Sequence, residues 1–317
     1  MKFSYLAVVL AVTALSCKNT NKSAEETTAV ADSTETQLIT NPITDGFYAD
    51  PSIVQAAGKF YIYATKDPWG KEDLAVLEST DFKNWELKSI NWPTKEACTS
   101  PTSNGSMVWA PSVIQAKNGK YYMYVSVGSE VWAGVADNPL GPWKNAKADD
   151  SPLIKGDLFP EYHMIDAEAF IDDDGQAYLF WGNPVCYYVK LNEDMITTEG
   201  EINQIPNTIE AFGKREGEPN ERRPTTYEEG PWVYKRNGLY YLIFAAGPLP
   251  EHLGYSTSKN ITGPYTYQGK VMPRQGGAFT NHPGVIDYKG KTYLFYHNAA
   301  LPGGSGFTRS VAVEELK

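Results

Sequence analysis

The chain has 317 residues, enough to bury a sizeable core, and its 42% hydrophobic and 21% charged content is that of an ordinary globular protein, not a fibrous or low-complexity one. A net charge of -10 argues against nucleic acid or an anionic surface as the main partner and fits a neutral one. An aromatic fraction of 13%, with 21 Tyr and 8 Trp, suits β-strands first and surfaces that stack on sugar rings second.

Met1-Lys2 opens the chain with a short basic start, and Phe3 to Leu15 is an apolar run too short to span a bilayer comfortably. It ends in Ala14-Leu15-Ser16-Cys17, which resembles a bacterial lipoprotein signal with small residues before the cysteine that becomes lipidated. An ordinary secretory signal with Cys17 incidental is the alternative. Residues 18 to 37 carry almost no large apolar side chain and read as a disordered spacer. The expected division is residues 1–16 as signal peptide, 17–38 as disordered tether and 39–317 as one folded domain, exported and lipid-anchored, on the periplasmic side or the cell surface. Cys98 and Cys186 are then expected to be buried free thiols, since two cysteines in a large domain make no disulfide framework.

From residue 39 onward a segment recurs five times: DPSIVQAAGKFYIYAT from Asp50, APSVIQAKNGKYYMYVS from Ala110, DAEAFIDDDGQAYLFWG from Asp166, EGPWVYKRNGLYYLIFAAG from Glu229 and NHPGVIDYKGKTYLFYHN from Asn281. Each reads as a strand, a turn ending in glycine (Gly58, Gly119, Gly175, Gly238, Gly290) and a second strand. Third strands follow at Leu74 to Glu78, Trp132 to Ala136 and Leu253 to Ser256. Outer turn-plus-aromatic motifs come next, at Asp81 to Trp85, Asn138 to Trp143 and Asn260 to Tyr265. Four strands per period of fifty-odd residues, five times over, predict an all-β fold, a five-bladed β-propeller. Residues 200 to 227 read as a long insertion that shapes a binding rim. Gly306 to Glu314 reads as a closing or inner strand.

In a propeller the first residues of the inner strands ring one mouth of a central channel. Counting back nine residues from the turn glycines, or eight in the first copy, lands on Asp50, Ala110, Asp166, Glu229 and Asn281. Three carboxylates at one repeat position are hard to explain as turn residues alone. Crowded acids push at least one pKa up, so that one stays protonated while another is ionised. That is the pair that glycosidic-bond cleavage requires. Glu228 competes with Glu229 for the inward direction, and the repeat register favours Glu229.

Asp50-Pro51-Ser52, Trp109-Ala110-Pro111-Ser112, Ile165-Asp166 with Phe170 to Gly175, Glu229-Gly230-Pro231, and Asn281-His282-Pro283-Gly284 with Tyr293 to His297 resemble, in order and spacing, the motifs of glycoside hydrolase family 43. The resemblance covers about residues 40 to 315. It implies a five-bladed propeller and inverting hydrolysis of arabinose- or xylose-containing glycans, with α-L-arabinofuranosidase or β-xylosidase activity foremost. Endo-arabinanase, or a non-catalytic glycan-binding propeller of an uptake system, is the alternative. By position, Asp50 matches the general base, Glu229 the general acid and Asp166 the carboxylate that orients Glu229 and raises its pKa. Ala167 departs from the proline usual in the family. Inversion requires the Asp50 and Glu229 carboxyls to lie about 6.5–9.5 Å apart. Phe47, Trp109, His282 and Arg309 are candidate substrate-binding residues, though the two aromatics also suit a core and Arg309 a structural role. In the family the histidine matched by His282 lies in the channel and holds an axial calcium through water. No cofactor is otherwise expected, and neither a zinc spacing nor a calcium-loop pattern is present. The expected partner is an oligosaccharide or polysaccharide, with membrane contact only through the anchor and no nucleic acid.

Overall fold

The computed structural model describes residues 39–103 and 105–317, so the signal peptide and tether expected over 1–38 lie outside the described residues. Among the described residues, nineteen strands form five antiparallel sheets, each laid out in chain order. Blade 1 holds β1 (Tyr48–Ala56), β2 (Lys59–Lys66), β3 (Leu74–Ser79) and β4 (Glu86–Lys88), and blade 2 holds β5 (Val108–Gln115), β6 (Tyr121–Val127), β7 (Val131–Ala136) and β8 (Lys144–Asn145). Blade 3 holds β9 (Glu168–Ile171), β10 (Ala177–Trp181), β11 (Tyr187–Leu191) and β12 (Thr198–Gln204). Blade 4 holds β13 (Tyr227–Arg236), β14 (Leu239–Ala246), β15 (His252–Ser258) and β16 (Thr266–Met272). Blade 5 has three strands, β17 (Gly284–Tyr288), β18 (Lys291–Asn298) and β19 (Ser310–Leu316).

The first strands of the blades touch in a ring: β1 meets β5, β5 meets β9, β9 meets β13, β13 meets β17, and β17 meets β1. The fourth strands β4, β8 and β12 are largely exposed, so they form the rim. This is the five-bladed propeller that the repeat predicts. All five turn glycines sit at positive φ, between 74° and 83°, which a two-strand turn requires and glycine adopts without a Cβ clash. Apolar side chains fill the wedges between neighbouring sheets: Phe60, Leu294 and Phe295 join blades 5 and 1, and Leu179, Trp181 and Tyr124 join blades 2 and 3. Cys98 and Cys186 are buried free thiols, as expected from their number.

Two expectations need correction. Residues 200–204 of the supposed insertion belong to β12, the outer strand of blade 3, and only the stretch from Ile205 to Thr226, with the short helix α1 (Ile209–Phe212), leaves the sheet. Of the two alternatives for the C-terminal strand, closing holds and inner does not: β19 is the third strand of blade 5, paired with β18. The fourth position of that blade is taken by the start of the domain. Ile43 N–H donates to Val311 O at 2.9 Å, and the Asn41 side-chain amide both donates to Val313 O (2.8 Å) and accepts from Val313 N–H (2.9 Å). The ring is therefore closed by the two ends of the domain.

Candidate active site

Three of the inner strands, β1, β5 and β13, enter the ring through a β-bulge. Ala49 pairs with Thr65 and Ser52 with Tyr63, so Asp50-Pro51 bulge out together. Trp109 and Ser112 flank Ala110-Pro111 in the same way. Glu229 and Trp232 flank Gly230-Pro231. The first residue of each bulge is left-handed, with φ 53° at Asp50, 43° at Ala110 and 57° at Gly230, and Asp166 ahead of β9 takes the same conformation at 60°. In blade 3, where Ala167 stands in place of proline, β9 begins only at Glu168 and pairs with β10 without a bulge, yet Asp166 takes the same left-handed φ. These pairings correct the repeat register. The residue equivalent to Asp50 and Asp166 is Gly230, and Glu229 stands one position earlier, where blade 1 has Ala49 and blade 2 has Trp109. The count of nine misplaced it because the turn of blade 4, like that of blade 1, is one residue shorter. A second bulge between Tyr227 and Glu229 breaks alternation, so Glu228 and Glu229 are not sorted by strand parity.

A hydrogen-bond relay runs around the mouth. The backbone N–H of each left-handed residue is received by a side chain at the end of the previous blade's second strand: Asp50 by His297 Nδ1 (3.1 Å), Ala110 by Thr65 Oγ1 (2.9 Å), Asp166 by Ser126 Oγ (2.9 Å). Blade 3 has Gly182 at that place, hydrogen-bonded to Ile165 through its backbone and with no side chain to offer. Gly230 N–H is instead received by Asp166 Oδ2 at 3.1 Å. Asp166 thereby fixes the backbone directly after Glu229.

Asp50 is 8% exposed. Thr65 Oγ1 donates to its Oδ2 at 2.6 Å, and Arg309 Nη1 lies 3.3 Å from its Oδ1. Burial opposes its ionisation, but the charge of Arg309, with His297, His282 and the Thr65 hydrogen bond, outweighs burial and brings the carboxyl down to about 2. Arg309 is held in place by Asp67, which accepts from its Nε at 2.7 Å, its Nη2 at 2.8 Å and its backbone N–H at 2.8 Å. Its Nη1 also donates to Thr280 Oγ1 at 2.7 Å. His297 is kept neutral by burial and by Arg309, and its Nε2 faces Thr280 O at 2.8 Å.

Glu229 behaves in the opposite way. Burial raises its carboxyl to about 7; the Asn183 Nδ2 hydrogen bond at 2.7 Å opposes the rise, while the charges of Asp50 and Glu228 add to it. Asp166 is also pushed well up, by burial and then by Glu229 and Asp50. Two further buried acids, unmarked by any repeat, complete the mouth. Glu251 accepts from Asn281 N–H at 2.8 Å and is raised by burial and by Glu229. Glu228 pairs with Arg215 at 2.5 Å and Arg223 at 2.6 Å, so it is the buried structural neighbour and Glu229 the free acid.

The remaining predicted residues fall around this cluster. His282 is 7% exposed, kept neutral by burial, with Nδ1 at 3.9 Å from Asp166 Oδ2 and packed on Gly230. Among the described residues no three His, Cys, Asp or Glu side chains converge to ligate an ion, so the donors do not form a direct cage for an axial calcium. No step below passes through one. Phe47 is half-buried beside Gly303, and its carbonyl accepts from Asp67 N–H at 3.1 Å. Trp109 is half-buried and donates Nε1 to Trp69 O at 2.7 Å, so it props the loop that presents Trp69. Trp69 is the exposed aromatic, at 59%, and stacks on Phe307 at 3.6 Å between centroids, with Phe279 edge-on to Phe307 at 5.5 Å. Arg309 lies 5.7 Å from the same Phe307 ring. Sequence reading missed Trp69, Phe307 and Phe279 because they lie on loops outside the repeat. A second cleft, lined by Lys117, Asp174, Gln176 and Glu199, sits at the hairpin-turn end of blades 2 and 3, away from these acids.

An ionised acid facing a protonated one, beside an arginine and an aromatic wall, has the chemistry for acid–base hydrolysis of a sugar acetal. Residues 39–317 match glycosyl hydrolases family 43. The chain is 28% identical to the xylosidase/arabinosidase of Bacteroides ovatus over 86% of this chain and 92% of the relative. It is 30% identical to the beta-D-galactofuranosidase xynD of Aspergillus niger over 81% of this chain and 75% of that one. A crystal structure of a thermostable family-43 glycoside hydrolase superposes with a TM-score of 0.69 over 88% of this chain and 92% of its own, at 24% identity, which bears on the fold. With 279 consecutive residues inside the family match, the chain is a glycoside hydrolase and belongs to glycosyl hydrolases family 43.

Proposed function

We propose that this hydrolase releases α-L-arabinofuranosyl or β-xylosyl units from arabinose- or xylose-containing glycans, with inversion, and that Asp50 is the base, Glu229 the acid and Asp166 a positioning residue. The observation that carries the reading is the opposed state of two carboxyls at one mouth, Asp50 near 2 and Glu229 near 7. Between these values Asp50 accepts a proton from a water as that water attacks the anomeric carbon. Glu229 gives its proton to the glycosidic oxygen as the carbon–oxygen bond breaks. The proton lost at Glu229 is matched by the one gained at Asp50, so the site's net charge is unchanged through the step. Arg309 keeps Asp50 ionised and, with Trp69 and Phe307, bounds the sugar on one side. That wall joins the loop after β2 to the loop before β19. It supports action on chain ends over mid-chain cleavage. The names of the two relatives support pentose or furanose substrates. We propose further that Met1 to Cys17 exports and lipid-anchors the enzyme, and that the chemistry needs no cofactor.

The experiment is incubation with aryl α-L-arabinofuranosides, aryl β-xylosides and linear arabinan, with proton NMR of the first-formed anomer. Release of single sugars with inverted configuration is the expected result. Retained configuration overturns the assignment of Asp50 as base, and shortening of arabinan without monosaccharide release overturns chain-end action.

A further inference from the structure

The segment between β12 and β13 carries a chain of side chains to Glu229. Glu228, 4% exposed, is gripped by Arg215 on Oε1 and by Arg223 Nε on Oε2. A Cβ at Gly247 would overlap Glu228 Oε1, so this carboxylate packs directly against the backbone that follows β14. Arg223 Nη2 then donates to Asn183 Oδ1 at 3.2 Å, and Asn183 Nδ2 donates to Glu229 Oε2 at 2.7 Å. Asn183 is itself held by a backbone bridge to His163, with N···O distances of 2.9 and 3.0 Å.

A carboxamide has a donor end and an acceptor end, and its neighbours decide which way it points. A guanidinium can only donate. Arg223 therefore requires the oxygen of Asn183, which leaves the amide nitrogen for Glu229. An oxygen that accepts from an amide is the carbonyl oxygen of a neutral carboxylic acid, so the acid proton resides on the other one. Were the amide reversed, its oxygen would draw the proton onto Oε2 and hold it there, bonded to Asn183.

We propose that Arg223 is a positioning residue for proton donation: through Asn183 it reserves Glu229 Oε2 as an acceptor and so places the transferable proton on Oε1. The proposal rests on the reading of Glu229 as the acid. The charged and titratable groups facing Glu229 are Asp50 from β1, Asp166 ahead of β9, Tyr227 and Glu228 on β13 itself, Glu251 ahead of β15 and Arg309 ahead of β19. Loss of Arg223 removes one of the two cations that offset Glu228, and the added negative field also favours the protonated form of Glu229.

The test compares leaving groups on the full chain. A dinitrophenyl glycoside departs without protonation, whereas an alkyl glycoside or an oligosaccharide needs the acid. Arg223→Met is expected to lower kcat on the unactivated substrate about 10–100-fold while leaving the dinitrophenyl substrate within about threefold, a part of the range that general acids supply. The basic limb of its kcat/KM profile is expected to move to higher pH. Arg223→Lys, still a pure donor, is expected to recover most of the difference. Asn183→Asp, which cannot donate as an anion, is expected to show the same selective loss and serves where Arg223→Met does not fold. Glu229→Gln is the reference. If it shows no leaving-group dependence, the acid assignment itself fails. If it does, and both Arg223→Met and Asn183→Asp slow the two substrates equally or leave both unchanged, only the role of Arg223 is overturned.

Discussion

Asp50, buried, and Glu229, half-buried, share one mouth, yet Arg309 and Thr65 draw the first down while desolvation and the charges of Asp50 and Glu228 hold the second up. In the proposed assignment Asp50, the base, works only when ionised and Glu229, the acid, only when protonated. Activity is therefore expected to fall as pH rises through about 7, where Glu229 loses its proton, and to persist downward toward about 2, where Asp50 gains one, unless unfolding intervenes first. A kcat/KM profile checks this, and a basic limb well below 6 would contradict it. The same shift bears on stability. Glu229 rises from 4.5 to about 7 on folding, so its favourable contribution is full below 4.5 and lost as pH climbs through 7. Ionising it in the folded state costs up to about 3 kcal/mol. Glu229→Gln is thus expected to be inactive on unactivated substrates yet to melt about 2–4 °C above wild type at pH 8, with the gap closing near pH 4.5. Thermal unfolding at the two pH values decides it. Of these side chains, Asp50, Asp166 and Glu229 were legible because the repeat marks their neighbourhood. Asn183, Arg223, Glu251 and Asp67 were not, because they arrive on loops whose sequence carries no period.

The bulge that opens β1, β5 and β13, with the left-handed residue ahead of β9, turns a repeat into a site. In blade 1 it puts two residues, Asp50 and Pro51, where the partner strand has one, and the left-handed φ at Asp50, shared by Asp166 in blade 3, aims these carboxylates into the mouth. Ala110 shows that a side chain is tolerated at such a φ. Gly230 differs in its surroundings, since a Cβ there would stand 3.1 Å from His282 Nδ1. Gly230→Ala is expected to displace His282 and the Gly230–Asp166 hydrogen bond, lowering kcat at least about tenfold while costing only about 1–2 kcal/mol of stability. Paired kinetics and denaturant titrations test that split; proportional losses in both would refute it. Turn glycines and aromatic strands were readable because hairpin chemistry is local. The one-residue slip at Glu229 was not, because turn length and bulge position trade off along a strand, and only cross-strand pairing separates them.

Across the whole ring, closure depends on residues nearly the full domain apart. Asn41 satisfies both backbone groups of Val313, and Ile43 binds Val311, so the start of the domain serves as a partial fourth strand for blade 5. Asn41→Ala leaves those two groups without their partner and is expected to lower unfolding free energy by about 1 kcal/mol, read from the denaturant midpoint, with kcat unchanged at 25 °C. A change in kcat without a change in midpoint would show that closure is not what Asn41 does. The blade count, the five hairpins and the neighbourhood of the three repeat-marked acids followed from the amino-acid order alone, because glycine turns and alternating aromatic strands are short-range physics that repeats intact. Which acid is ionised, how the ring is shut and which loops wall the mouth emerged only with the folded ring. Those depend on burial, on Arg309 and Arg223 arriving from distant segments, and on pairings between the ends of the domain, none of which leaves a local trace.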